Sequence, residues 1–313
     1  MDRPTLFQLN PMLESQRTLV FGKDGQLGKA FQKLLSNDSD VEFLGRKDCD
    51  LTKIDQIQAV LEKYQPQVIL NASAYTAVDV AEKEPELAHL VNAEVPRVMA
   101  EYIHQTKGGV LVHYSTDYVF DGFKETPYNE DDATSPLGQY GKSKLAGEIA
   151  IQEVFSQHPI TPISNYYILR TSWVYGDGGN FIRTMLKLAT EREQLKVIAD
   201  QFGVPTNADW LAQISMHVLE KKLLSGVYHA VPDGETSWYG LAKFAIECAI
   251  QEGAILKVKP EAIQAIPAKE YPLPAPRPYN SRMNNKKLKR TLQEDFSFWE
   301  MQVRDYVKNM LAK

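Results

Sequence analysis

The chain has 313 residues, enough for one large domain and a smaller one, and its 43% hydrophobic and 24% charged content is that of a soluble globular protein. A net charge of −5 argues against nucleic acid as the main partner, and two cysteines, Cys49 and Cys248, make neither a disulfide framework nor a metal cluster. No apolar run reaches the roughly 18 residues of a membrane span.

Residues 1–17, with Pro4 and Pro11 and no basic segment ahead of an apolar core, read as a short leader in a cytoplasmic protein with reduced thiols. From Thr18 the pattern alternates strand and helix. Thr18–Phe21 is a short apolar strand closed by glycines, and Gln26–Leu35 carries Leu27, Ala30, Phe31, Leu34 and Leu35 at helical spacing. Val41–Leu44 is a second strand, and Ile54–Tyr64 a helix for which Thr52 is a candidate N-cap. Val68–Leu70, Val110–Val112 and Tyr167–Leu169 repeat the buried-strand signature, separated by helices over Glu86–Gln105 and Gly141–Phe155. Such alternation predicts an α/β fold: a Rossmann-type, doubly wound parallel sheet covered on both faces, over residues 18–175.

Beyond Tyr175 the rhythm changes. Helices are expected near Asn180–Thr190, Ala208–Lys221 and Phe296–Leu311, with a short strand at Val197-Ile198. Five prolines make Pro267–Pro278 extended, and Arg277, held between two of them, is either part of a connector or a rigidly presented anion contact. Residues 176–313 thus read as a smaller α/β substrate-binding region, with some segments returning to the first domain.

The loop Gly22-Lys23-Asp24-Gly25-Gln26-Leu27-Gly28 lies between the first strand and the first helix. Glycines at this spacing permit a tight turn, close approach of a pyrophosphate and close helix packing, and the helix N-terminus offers N–H groups to phosphates. An acidic residue normally follows the second strand to hold a ribose. Here Gly45-Arg46-Lys47 stands there, and a guanidinium suits a 2′-phosphate, which favours NADPH over NADH against the alternative of a solvated basic turn. Asp50 lies further on, nearer an adenine ring.

Tyr140 and Lys144 are four apart and share a helix face. A cation beside a phenol lowers its pKa and makes it a usable proton donor. Ser115 and Thr116 end the strand that begins at Val110, at the carboxyl edge where ligands sit. Either hydroxyl can stabilise the charge that grows on a carbonyl oxygen during hydride transfer while Tyr140 protonates it. Asp117 is a turn residue or a partner for sugar hydroxyls, and His113, within an apolar strand, reads as a satisfied core histidine.

With the glycine loop and the Thr116/Tyr140/Lys144 set in view, the chain resembles the extended short-chain dehydrogenase/reductase superfamily and, within it, the dTDP-4-dehydrorhamnose reductase family. The closer likeness rests on Asn71–Asp79, Tyr114–Phe120, Ser135–Leu137, Arg170–Tyr175, Asp200–Thr206 and Arg277–Arg282. The resemblance implies NADPH-dependent reduction of the C4 ketone of dTDP-4-dehydro-L-rhamnose, with NADH as the lesser alternative. Beside Gly22, Gly28 and Arg46, which the loop and the basic turn already offer to the cofactor, it implies cofactor contacts from Gly25, Gln26, Leu27, Asp50, Leu51, Ala74, Tyr75, Thr76, Tyr114, Tyr140 and Lys144. Substrate contacts would come from Thr116, Asp117, Tyr118 and Trp173, with Arg277 toward the diphosphate, and Trp173 either stacks on a sugar or base or packs in the core. The family has a glutamate after the glycine loop, implicated in a Mg2+ site between subunits. It falls here at Ala30, so the resemblance leaves open both Mg2+ and the homodimer that this metal supports. Two other functions use the same framework: a sugar-nucleotide epimerase or dehydratase with tightly held NAD+, and an NADP-binding regulatory subunit like that of methionine adenosyltransferase.

Overall fold

A computed structural model describes residues 16–156 and 164–312, so that the leader expected over 1–17 falls outside the described residues except for Gln16 and Arg17. Five strands alternate with helices in the first half: β1 (Thr18–Phe21), α1 (Gln26–Leu34), β2 (Val41–Leu44), α2 (Ile54–Tyr64), β3 (Val68–Asn71), α3 (Val78–Ala81), α4 (Pro85–His89), α5 (Val95–Gln105), β4 (Val110–Thr116), α6 (Gln139–Ser156) and β5 (Asn165–Thr171). The second half adds β6 (Val174–Tyr175), α7 (Phe181–Glu191), β7 (Leu195–Ile198), β8 (Phe202–Gly203), β9 (Thr206–Asn207), α8 (Ala208–Lys221) and β10 (Gly226–His229). It ends with β11 (Thr236–Ser237), α9 (Trp238–Gln251), β12 (Ile263–Ile266), α10 (Lys286–Leu292) and α11 (Trp299–Leu311).

Six strands form one sheet in the order β10-β5-β4-β3-β1-β2, every pairing parallel. Parallel neighbours need crossovers, and the helices supply them on both faces. Val20, Leu70, Val112 and Leu169 point to one face, where Phe31 of α1, Leu211 of α8 and Leu288 of α10 cover them. Leu19, Ile69, Leu111 and Ile168 point to the other, against Ile57 of α2, Met99 of α5 and Ile151 of α6. This is the Rossmann-type doubly wound arrangement, and the order reverses between β1 and β3, where such sheets open a ligand crevice. Each fully buried side chain such as Phe31 is stabilising by about 1.5–3 kcal/mol.

A third core joins Ile182 and Leu186 of α7, Ala245 and Ile246 of α9, and Trp299 and Val303 of α11. Meanwhile β10, α8 and α10 belong to the sheet and its covering layer, although they lie beyond residue 175. No helix among the described residues is long and apolar enough to cross a membrane.

Two local features depart from expectation. Thr52 does not cap α2: Lys53 occupies that position, and the Thr52 hydroxyl instead donates to Asp50 Oδ1 at 2.8 Å. The helix expected over Glu86–Gln105 is interrupted by a π-helical turn, Leu90–Glu94. Pro96 lacks the N–H that would reach the Asn92 carbonyl and its ring crowds that oxygen, so the backbone widens there.

Candidate active site

The glycine loop is built for close approach. Gly22 has φ +87° and a Cβ there would lie 2.7 Å from the Ala72 carbonyl oxygen; a Cβ on Gly28 would lie 2.0 Å from the Gly22 oxygen. Both positions therefore require glycine. No side chain caps α1, whose first turn, with no acidic residue, opens toward a cavity of about 640 Å³ along the carboxyl edge of β1, β3 and β4.

That cavity is lined by every residue expected at the cofactor except Gly28, which lies behind the loop and sets the helix packing. Arg46 stands exposed on its rim. Asp50 also borders it, but Oδ1 already accepts from the Thr52 N–H and hydroxyl, which hold the carboxyl below its usual range. Tyr114 also lines it, and its hydroxyl donates to Ser215 Oγ on α8 at 2.6 Å. Three buried oxygens without hydrogen-bond partners, Gln26 Oε1, Ser115 Oγ and Thr171 Oγ1, belong to residues lining this one cavity. Orphaned polar atoms at one wall suit a polar ligand, and the donor set fits a dinucleotide.

Lys144 is 2% exposed. Its Nζ donates to the Tyr114 carbonyl at 2.6 Å and lies 3.4 Å from His113 Nε2. Burial lowers its pKa to about 8, against the opposing charge of Glu148. The Tyr140 phenol behaves differently from expectation. Burial pushes its pKa up, the Asp117 charge adds to that, and only the Thr116 hydroxyl pulls it down. Lys144 is directed to Tyr114 and His113, so the lowering expected from a cation on the phenol is not what sets it. Asp117 is itself pushed up by burial to about 6, with the hydroxyls of Ser281 and Thr116 opposing.

Thr116 Oγ1 donates to Asp117 Oδ1 at 3.0 Å and accepts from the Tyr118 N–H at 3.2 Å. Tyr118 meets Tyr140 edge to face, ring centroids 5.5 Å apart. Tyr140 lines the first cavity and Tyr118 a second one of about 740 Å³, walled by Phe181, Met185, Trp238, Tyr271 and Arg277. This tyrosine pair thus puts one ring on each space. Arg277 is held by Asp79, Nη2 to Oδ2 2.9 Å, which ties the proline-rich segment to α3.

Trp173 lines neither cavity. Its indole stacks on Trp238 at 3.6 Å between centroids and 14° between planes, and its φ of +47° is in the left-handed region, strained for a bulky residue.

Several contributors carry weaker sequence signals. Asn92, 1% exposed in the π turn, accepts from the Tyr75 N–H at 2.9 Å and donates to the Tyr75 carbonyl and to Ser143 Oγ. It thereby joins the cofactor-side loop to α6, and a Cβ on Gly147 would lie 2.1 Å from the Asn92 oxygen. Pro96 inside a helical run is the one sequence sign of it. Thr171 follows from its place at the carboxyl end of β5, whereas Trp238 begins a helix whose apolar content hides its periodicity. Ala30 is buried among the residues that pack α1 on the sheet.

Comparison with known proteins follows the same lines. A family model described as RmlD substrate binding domain matches residues 16–312. The chain is 42% identical over 303 residues to the dTDP-4-dehydrorhamnose reductase of Salmonella typhimurium, covering 94% of this chain and 98% of that protein. Among solved structures, it is similar to a dTDP-4-dehydrorhamnose reductase of Clostridium acetobutylicum, with TM-score 0.84 and 33% identity over 95% of this chain and 99% of that one. The Bacillus anthracis reductase, solved in complex with NADP, gives TM-score 0.83 and 33% identity, with 95% and 99% covered.

Proposed function

The chain belongs to the RmlD substrate binding domain family, and we infer that it reduces the C4 ketone of dTDP-4-dehydro-L-rhamnose to dTDP-L-rhamnose with NADPH. The observation that carries this reading is the tyrosine pair in edge-to-face contact, Tyr140 on one cavity with Lys144 and Tyr118 on the other, with the Thr116 hydroxyl acting on the Tyr140 phenol. One space has the glycine loop and Arg46, suited to a dinucleotide carrying a 2′-phosphate. The other is aromatic with two guanidiniums, Arg192 and Arg277, suited to a nucleotide-linked sugar.

The reduced nicotinamide, when bound, supplies a hydride to the carbonyl carbon. Tyr140, held protonated at neutral pH by its raised pKa, gives its proton to the C4 oxygen. Thr116 is the better candidate for the second donor, since its hydroxyl already acts on the phenol, whereas Ser115 Oγ belongs to the cofactor side. Lys144 holds the ribose side of the cofactor and the Tyr114 strand end. Asp117 and Tyr118 orient the sugar. Arg277 exchanges Asp79 for the diphosphate, and Trp173 supports the wall through Trp238 rather than touching the sugar directly.

On this reading residues 18–175, with 208–230 and 286–296, carry the cofactor, and the remaining C-terminal segments carry the substrate, in a cytoplasmic enzyme. A homodimer would not depend on a metal at Ala30. The deciding measurement is NADPH oxidation with dTDP-4-dehydro-L-rhamnose by wild type and Tyr140→Phe. Turnover indifferent to the loss of that hydroxyl removes Tyr140 as the acid. Tightly bound NAD+ with no need for added NADPH points to an epimerase or dehydratase instead.

A further inference from the structure

Beneath the cofactor cavity lies a polar chain that the reaction above does not use. Asn71 ends β3 and is paired in the sheet with His113 of β4, and both are 1% exposed. The Asn71 carboxamide oxygen accepts from the Ser73 N–H at 3.3 Å and the Ser73 hydroxyl at 2.5 Å. Its NH2 is therefore the group turned to His113 Nδ1, at 3.0 Å. A neutral imidazole that accepts at Nδ1 carries its proton on Nε2. Nε2 faces Lys144 Nζ at 3.4 Å. Against an ammonium this arrangement sets two donors face to face, whereas an amine accepts from Nε2–H while donating to the Tyr114 carbonyl at 2.6 Å.

We propose that His113 is a positioning residue for Lys144, presenting Nε2–H to the lysine nitrogen so that the amine form is held in place within the catalytic cycle. The catalytic part rests on the carbonyl-reductase reading; the hydrogen-bond assignment stands without it. Once the Tyr140 O–H bond has broken and its proton has gone to the substrate oxygen, a solvent water hands the phenolate a proton and takes one from an N–H bond of the Lys144 ammonium, since Nζ itself bonds the Tyr114 carbonyl and His113 and not the phenol. The electron pair of that N–H bond stays on the nitrogen, where His113 Nε2–H bonds to it, and a solvent proton later restores the ammonium.

The surroundings agree. Burial holds Lys144 down, and it holds His113 well below the usual imidazole range, with the lysine charge adding to the effect. The one carboxylate acting on Lys144 is Glu148, which is locked to Arg170 of β5, and Asp117 acts on Tyr140. His113, buried in the sheet, was expected to be a satisfied core histidine. It is satisfied, but by a partner on each ring nitrogen, one of them the active-site lysine.

The test is nitrogen NMR on the full chain without ligand. The His113 ring is expected as the Nε2–H tautomer across the neutral range, and Lys144 is expected to titrate about three hundredfold more acidic than exposed lysines. His113→Gln keeps an N–H donor and should leave the Lys144 titration in place. His113→Leu, which keeps the burial and removes only the donor, should move it measurably toward ordinary lysine but short of an exposed one. If the leucine variant does not fold, Asn71→Asp serves: a carboxylate takes Nδ1–H, turns the Nε2 lone pair to Lys144 and moves its titration the same way. An Nδ1–H tautomer in wild type, or a Lys144 titration unmoved by whichever of His113→Leu and Asn71→Asp folds, overturns the proposal. With the sugar nucleotide, the alkaline limb of kcat should follow the NMR titration. A chain that shows the NMR behaviour but reduces no sugar nucleotide counts against the reductase reading alone.

Discussion

Glu148 and Arg170 form a two-pronged ion pair directly below the active-site helix face: Nε to Oε1 2.9 Å and Nη2 to Oε2 2.7 Å, with side chains 1% and 5% exposed. It fastens α6, which carries Tyr140 and Lys144, to β5. Removing one member leaves the other charge buried and alone, at a cost of about 3–5 kcal/mol. Glu148→Ala should therefore lower the urea midpoint strongly, whereas Glu148→Leu combined with Arg170→Met should be far milder. A single variant as stable as wild type would show that the pair is solvated.

Tyr140→Phe keeps the ring that Tyr118 packs against and loses only the hydroxyl. Turnover should fall by roughly 10²–10⁴-fold with NADPH binding nearly unchanged. Thr116→Val should lower kcat by about 10²-fold or more, and Ser115→Ala much less. Steady-state kinetics on the three variants separates the two hydroxyls that adjoin one another in sequence.

Arg46 stands exposed at the rim of the first cavity. A charge-assisted hydrogen bond to a 2′-phosphate contributes about 1.5–3 kcal/mol. Arg46→Ala should shrink the NADPH preference by roughly ten- to a hundredfold in kcat/KM while leaving NADH kinetics near wild type. An unchanged ratio would assign the preference elsewhere on the rim.

Gly28→Ala sets a methyl 2.0 Å from the Gly22 carbonyl oxygen, a backbone atom that has no rotamer to give. The variant should lose about 1–3 kcal/mol of stability and most of its cofactor affinity together. Gly25→Ala, whose methyl would lie 3.3 Å from the same oxygen, should lose far less stability than Gly28→Ala while still losing affinity. Thermal unfolding with and without NADPH reads both.

His229 is fully buried, with Nδ1 3.2 Å from the Asn284 carbonyl and Arg170 nearby. Burial, then the Arg170 charge, lowers its pKa from 6.5 to about 3. A depressed folded value means the unfolded chain binds the proton first. Its contribution is complete above pH 6.5 and is lost as pH falls from there toward 3. Unfolding free energy measured down that range should drop, and His229→Gln should flatten the drop.

Much of the site could be read from the chain because local chemistry dictates it. Glycines between an apolar strand and an amphipathic helix admit few backbone paths, and Tyr140 and Lys144 share a helix face by geometry alone. What escaped depends on distance in space. Nothing near Gly226 says that β10 will complete a sheet begun at Thr18, and the near-continuous apolar run of α9 has no stripe to betray a helix. The expected effect of Lys144 on Tyr140 assumed that neighbours on one face must bond. The Tyr114 carbonyl and His113 compete for the same nitrogen, and only the tertiary structure reveals them.

The Trp173–Trp238 stack gives the chain an optical signature. Two indoles 3.6 Å apart couple their electronic transitions, so the far- and near-ultraviolet dichroism should contain a split band that disappears on Trp173→Phe. Because Trp238 borders the second cavity while Trp173 is buttressed behind it, filling that cavity should perturb one chromophore of the coupled pair directly. Loading of the sugar-nucleotide side could then be followed by light alone, separately from the absorbance of the dinucleotide.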